Sequence, residues 1–144
     1  MLHCKTGKFN QFGVSFVLPS EFFFDSSDDE HLFENGIRVL SGNQDYAVQF
    51  AIHRNCKSTA EELEQLWDAG SATPLSGLEE IQHNGLSGHQ AYYSYRDGMQ
   101  YFEMLLSLPD DMQFSLMIET KEKDILELVK SEDIQKLIQE IQAA

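Results

Sequence analysis

Glu103, in the middle of the apolar run from Met99 to Leu108, is the first residue of this chain whose type and place could do chemistry. A carboxylate held there away from water has a perturbed affinity for its proton, and such groups mark candidate sites. The ordinary reading is that its side faces a gap between helices and meets water, since glutamate is seldom fully buried. Tyr92, Tyr93, Tyr95 and Tyr101 surround it in sequence. With an apolar body and a polar tip each, they could rim a ligand groove, although core and boundary packing is the plainer role.

Other constellations are thinner. His53 and Cys56 make a His-x-x-Cys, and His83 and His89 flank the Gly85–Gly88 step. Zinc needs three or four converging ligands, and no second close-spaced pair joins them, so no metal is expected. Cys4, Cys56 and many serines are potential nucleophiles, but there is no Gly-x-Ser-x-Gly elbow. Gly85 and Gly88 lack the lysine and following helix of a phosphate loop. The acidic stretch Asp25–Asn35, with Asp28, Asp29, Glu30 and Glu34, lacks the spacing of a calcium loop and reads as solvated. No catalytic residue and no cofactor is expected, and the chain is read as non-enzymatic in preference to catalytic.

Composition narrows the partners. The 144 residues carry 24 acidic and 10 basic side chains, a formal net charge of −14. That opposes nucleic-acid binding, which needs clustered Lys and Arg, and adsorption to anionic lipid. Steering of a basic protein partner is the sharper use of such a surface. No apolar run reaches the ~18 residues of a membrane span. The first residues do not read as a signal peptide, so cytoplasmic residence is the default, with a removed leader or a lipid anchor near Cys4 as the alternative. Cys4 and Cys56 read as unpaired thiols in that compartment, and a single bridge stays open.

The elements that position these residues follow from periodicity. Residues 86 to 119 read as a three-stranded antiparallel meander. Its first arm sets Ala91, Tyr93 and Tyr95 against Gln90, Tyr92 and Ser94, and Asp97-Gly98 suits a two-residue hairpin turn. The second arm is apolar on both sides, as a central covered strand should be. After the turn at Pro109-Asp110-Asp111, Met112, Phe114, Leu116 and Ile118 alternate with more polar neighbours. Upstream, Phe9–Leu18 reads as an opening strand ended by Pro19, with the aromatics Phe22 to Phe24 docked into the core or, as the alternative, exposed as a binding patch. Strands follow at 36–40 and 46–53 around a Gly42-Asn43 turn, the large residues Tyr46, Val48, Phe50 and Ile52 facing the core. Ser58 with Glu61, or Thr59 with Glu62, forms a capping box for a helix with Leu63, Leu66 and Trp67 on its apolar stripe. Leu78–Gln82 is a short candidate strand. Residues 58 to 83 hold six acids, Glu61 and Glu62 among them, and no Lys or Arg, which predicts one strongly negative side. Past the meander, Ile125, Leu128 and Val129 lie half a turn from Ile134, Leu137, Ile138 and Ile141, so a helix break near Lys130-Ser131 is expected, with one continuous helix buried on both sides as the competing reading. The sum is one α+β domain over residues 1–144: a central antiparallel sheet with helices on both faces, an α/β/α sandwich.

This order of elements resembles the PsbP-like fold, shared by the extrinsic subunit of photosystem II, the Ran-binding nuclear-import factor and bacterial DcrB-type proteins. The stretches that carry the resemblance are Gly13-Val-Ser-Phe-Val-Leu-Pro19, Asn84-Gly-Leu-Ser-Gly88 leading into Tyr92-Tyr93, and Tyr101-Phe-Glu103 followed by Phe114-Ser-Leu116. The tryptophan that often follows the first proline in relatives is absent, and Phe22 to Phe24 stand there. The resemblance implies an adaptor or binding role without catalysis and carries over no partner residue. The alternative function is a small-ligand or enzyme site between sheet and helices near Glu103 and the tyrosines.

Overall fold

A computed structural model describes residues 2–25, 37–42, 45–54, 57–70 and 72–144. In chain order the strands and helices are β1 (Leu2–Gln11), β2 (Val14–Asp25), β3 (Ile37–Gly42), β4 (Ala47–Arg54), α1 (Thr59–Gly70), β5 (Thr73–Pro74), β6 (Glu79–His83), β7 (Leu86–Ser94), β8 (Gln100–Leu108), β9 (Met112–Thr120), α2 (Ile125–Val129), α3 (Glu132–Gln139) and β10 (Gln142–Ala143). The strands join one ten-stranded sheet in the order β1-β2-β3-β4-β9-β8-β7-β5, with β6 also on β7 and β10 on β2. Among the described residues the strand pairings are antiparallel.

The meander forms as expected, and β8, apolar on both sides, lies between β7 and β9. Phe102, Met104 and Leu106 of β8 join Phe114, Leu116 and Ile118 of β9 and Val48, Phe50 and Ile52 of β4 in the main core. α2 and α3 bring Ile125, Val129 and Ile134 to that same cluster. The expected break between these helices is present: Ser131 is extended at φ −64°, ψ 154° ahead of α3, although its hydroxyl makes no capping bond. Asp124 does cap α2, its carboxylate accepting from the Leu126 amide at 3.0 Å.

The opening differs from the expected single strand over Phe9–Leu18. Phe12 (φ 59°) and Gly13 (φ 87°) form a two-residue turn, so the chain starts as the β1–β2 hairpin. Both central residues of such a turn need positive φ, which its twist requires. Nor does Pro19 end β2. The register slips between Lys5 and Gly7 opposite it, and a proline without an amide donor fits such an irregularity. The start of β2 lies against the sheet, with the Phe16 ring stacked on Phe50 at 4.6 Å and 5.4 Å from Phe114.

α1 begins as the sequence suggests, with the Glu61 amide donating to Ser58 Oγ at 3.2 Å. Its Leu63 is fully buried with Ala91 of β7 and Leu105 of β8, residues of opposite parity to those that meet α2 and α3.

Candidate functional site

The turn between β7 and β8 decides which side chains meet. It is not the two-residue turn expected at Asp97-Gly98. Arg96, Asp97 and Gly98 form a three-residue loop closed by Tyr95 N–H to Met99 O (2.9 Å) and Gly98 N–H to Tyr95 O (3.0 Å). Gly98 takes the left-handed position at φ 88°, and the Asp97 carboxylate accepts from the Met99 amide at 2.9 Å. Such a loop is a common hairpin connection when glycine fills its last place. The extra residue shifts the register by one: Tyr93 faces Tyr101 and Ala91 faces Glu103. A two-residue turn would instead have paired Tyr92 with Glu103 and Tyr93 with Phe102.

With that register, Tyr93, Tyr95, Tyr101 and Glu103 share one face. The Tyr93 hydroxyl donates to Glu103 Oε2 at 2.9 Å. The Tyr93 and Tyr101 rings stack at 5.2 Å, and Tyr95 stands edge-on to both, at 5.7 and 5.3 Å. Aromatic pairs favour these two geometries. Tyr101 faces Glu119 directly across the β8–β9 pair. Glu103 does not meet water as the ordinary reading expected: it is 7% exposed and Tyr93 3%. The reason is the covering helix, which brings Leu63 onto the adjacent Ala91 and Leu105.

Burial pushes the Glu103 carboxyl up to about 7, the negative charge of Glu62 on α1 adds to the rise, and the Tyr93 hydrogen bond opposes both only in part. Burial and then the Glu103 carboxylate hold the Tyr93 hydroxyl far above its usual range. Tyr101 is pushed up to about 12, first by burial and then by Glu119. At neutral pH Tyr93 and Tyr101 are therefore protonated phenols, and Glu103 sits near the midpoint of its titration.

Tyr92 is separated from the other three. It lies on the opposite face, its ring 4.9 Å from Phe102 and packed against the main core. Glu61 is exposed on α1, and Glu62 is half-buried toward Glu103. Asp28, Asp29, Glu30 and Glu34 lie outside the described residues, as does Cys56. His83 donates to Ile138 O at 2.7 Å, and His89 Nδ1 pairs with Thr59 Oγ1 at 2.7 Å, which spends the two histidines on structure. Among the described residues no group of three or more His, Cys, Asp or Glu could hold a metal ion, and no helix is long and apolar enough to cross a membrane.

Three features of the neighbourhood were not read from the sequence: the His89–Thr59 bond, the approach of Glu62, and the link from Tyr101 to Glu119. Glu119 also lines a shallow groove of about 270 Å³ with Asp45, Tyr46, Met99, Lys121 and Glu122 at the ends of β4, β8 and β9. Period-two parity puts Glu119 on the right face of its strand, but only the register brings it to Tyr101.

No described protein family matches the sequence, and no curated protein does. Solved structures do. PsbP of the cyanobacterium Synechocystis sp. PCC 6803 superposes with a TM-score of 0.63 at 11% identity, over 99% of this chain and 94% of that one. LpqN, involved in cell envelope biogenesis of Mycobacterium tuberculosis, superposes with a TM-score of 0.53 at 12% identity, over 97% and 91%. The likeness shows a mixed α+β chain of PsbP-like fold with a largely antiparallel sheet.

Proposed function

We propose that this chain of PsbP-like fold is a non-catalytic interaction or adaptor module that offers the acidic side around α1 and β6 to a basic protein partner. The observation that carries the reading is a set of exposed glutamates on two adjoining elements, flanked by the cation Lys57, which donates to Gln65 of α1. Glu61 and Glu64 of α1 and Glu79 and Glu80 of β6 are exposed, and residues 58 to 83 include no Lys or Arg. α1 covers β7, and β6 is paired with β7, so the two elements adjoin one strand. Opposite potentials steer association and set its salt dependence. A small-ligand or enzymatic use of Glu103 is the second reading, favoured by its burial and its raised proton affinity.

The same reading takes the sheet as the middle layer of an α/β/α sandwich in one domain over residues 1–144. It is supported by Leu63 meeting Ala91 and Leu105 while Ile125 and Ile134 meet Phe102 and Leu106 of the other parity.

The test is a pull-down from the native host's lysate with the wild type and with Glu61, Glu64, Glu79 and Glu80 all changed to Gln. A partner held by the wild type at ~0.1 M salt should be lost near ~1 M, where the Debye length falls to about 3 Å. The four-Gln variant should lose it at both. Equal capture by the two proteins, or capture indifferent to salt, refutes the acidic-face reading.

A further inference from the structure

The edge of the sheet beside β7 is made from two short pieces of one run of chain. β5 and β6 both pair with β7, and among the described residues β6 pairs with no other strand. Between them the chain bulges, the Leu75 and Ser76 amides both turning in to Tyr92 O at 2.8 and 3.4 Å. The turn at Asn84 (φ 47°) and Gly85 (φ 88°) decides how β6 presents its backbone. Two successive residues of positive φ make a type I′ turn, closed by a bonded pair, here His83 with Leu86. Bonded and non-bonded pairs then alternate along the antiparallel ladder. By that alternation Ile81 and Glu79 bond to Gly88 and Gln90, while Glu80 and Gln82 turn their amides and carbonyls away from β7. Neither backbone meets another partner among the described residues, and both side chains are exposed.

An open edge is a template for a further strand, and the charge along it selects the strand that can join. Glu80 lies opposite His89, whose ring meets Thr59 at the start of α1, so it stands on the face that α1 covers. α1 brings the exposed Glu61 and Glu64 to that side of the sheet. On the other face Ile81 packs against the main core, with the exposed Glu79 beside it. A second β6 laid against this edge would set glutamates against glutamates, which is unfavourable across a strand pair. A strand with lysine or arginine at alternate positions would meet Glu80 with the opposite charge. Pro74 and the bulge after it confine the open length to β6. We propose that β6 is a docking edge to which a basic, extended segment of a partner protein adds as one more antiparallel strand, its backbone bonding to Glu80 and Gln82. This rests on the acidic-face reading above and gives it a binding mode: main-chain bonds hold the segment and the carboxylates choose it.

The probe is a short peptide alternating Lys and Thr, added to the full chain at ~0.1 M salt and followed by residue-resolved amide exchange. The Glu80 and Gln82 amides should exchange fast in the free protein and slowly with peptide bound, while Ile81, already in the ladder, keeps its protection. A lysine opposite Glu80 aims its own amide at β6. N-methylation of the lysine amides should therefore weaken binding about tenfold, and N-methylation of the threonine amides, which face solvent, should leave it unchanged. On the protein, Glu80→Pro removes an outward donor at a place where an edge strand tolerates proline, and it should bind the peptide less well than Glu80→Gln, which removes the charge alone. Suppose the lysine-methylated peptide binds as well as the unmodified one, and both are lost with Glu61, Glu64, Glu79 and Glu80 changed to Gln. Charge alone then holds the peptide, and the edge proposal falls while the acidic-face reading stands. Full binding by that four-Gln variant sinks both. The proposal is also overturned if the unmodified peptide does not bind, or binds without slowing the Glu80 and Gln82 amides. Self-association of the chain that Glu80→Pro abolishes overturns it too, by giving the edge to a second copy.

Discussion

Replacing Glu103 by Gln should stabilise the protein at neutral pH and remove a pH dependence that the wild type shows. The carboxyl sits at about 7 in the folded chain against 4.5 as its ordinary value, a rise of 7 − 4.5 = 2.5 units, caused first by burial. Below pH 4.5 folded and unfolded chains both hold the proton, and this group is neutral in its effect. Between 4.5 and 7 the folded chain binds a proton that the unfolded chain has released, so stability falls as pH rises, and it levels off above 7. At about 1.4 kcal/mol per unit the full cost is about 3 kcal/mol. Glutamine has nearly the same shape, its carbonyl oxygen can accept from Tyr93, and its neutral amide carries no such penalty. A partner for that amide costs about 1 kcal/mol if none is found, an offset that does not vary with pH. Urea denaturation of both proteins at half-unit steps from pH 4.5 to 8.5 isolates the group, because every other carboxylate cancels in the difference. The variant should gain about 3 kcal/mol on the wild type across that range. In thermal terms this is about 10 °C for a chain of this length, at about 0.3 kcal/mol per degree. Parallel pH profiles for the two proteins would refute the account of Glu103 as a strained buried acid.

Gly88→Ala should abolish cooperative folding. A Cβ there would lie 1.8 Å from the Leu105 carbonyl oxygen and 2.8 Å from its carbon, backbone atoms that cannot turn aside. A loss above about 4 kcal/mol is expected, read by circular dichroism and urea titration, with Gly77→Ala, which meets nothing within 4 Å, as the neutral control. Asn84→Ala should cost about 2 kcal/mol at unchanged m-value, because its amide donates to Gln139 O (3.1 Å) at the end of α3 and to Ile141 O (2.9 Å) beyond it, and its φ of 47° suits asparagine better than alanine.

Where the sequence was sufficient, it was because one strand's own period settled the matter. Phe102, Met104 and Leu106 share a face whatever lies beside them, and the half-turn between the stripes of Ile125 and Ile134 requires a break between their helices. Where it fell short, the answer depended on a partner strand or a distant residue. Pro19 stops a strand only if its missing amide is needed, and the slip opposite Lys5 and Gly7 removes that need. Thr59 and His89 are 30 residues apart, and nothing local to either announces their bond.

The burial of Glu103 belongs to this second kind. A glutamate inside an apolar run is ambiguous from its own strand, because alternation fixes its face and not what covers it. Two further facts remove the ambiguity, and each lies outside the run. One is α1, whose Leu63 closes over Ala91 and Leu105 from 28 and 42 residues away in sequence. The other is the length of a single turn. Asp97-Gly98 suits either a two-residue or a three-residue loop, and the choice falls to Asp97, whose carboxylate ties down the Met99 amide with Gly98 left-handed beside it. One residue more in that loop puts Tyr93 over Glu103 in place of Tyr92. The tyrosine cluster is thus a consequence of register before it is a consequence of composition.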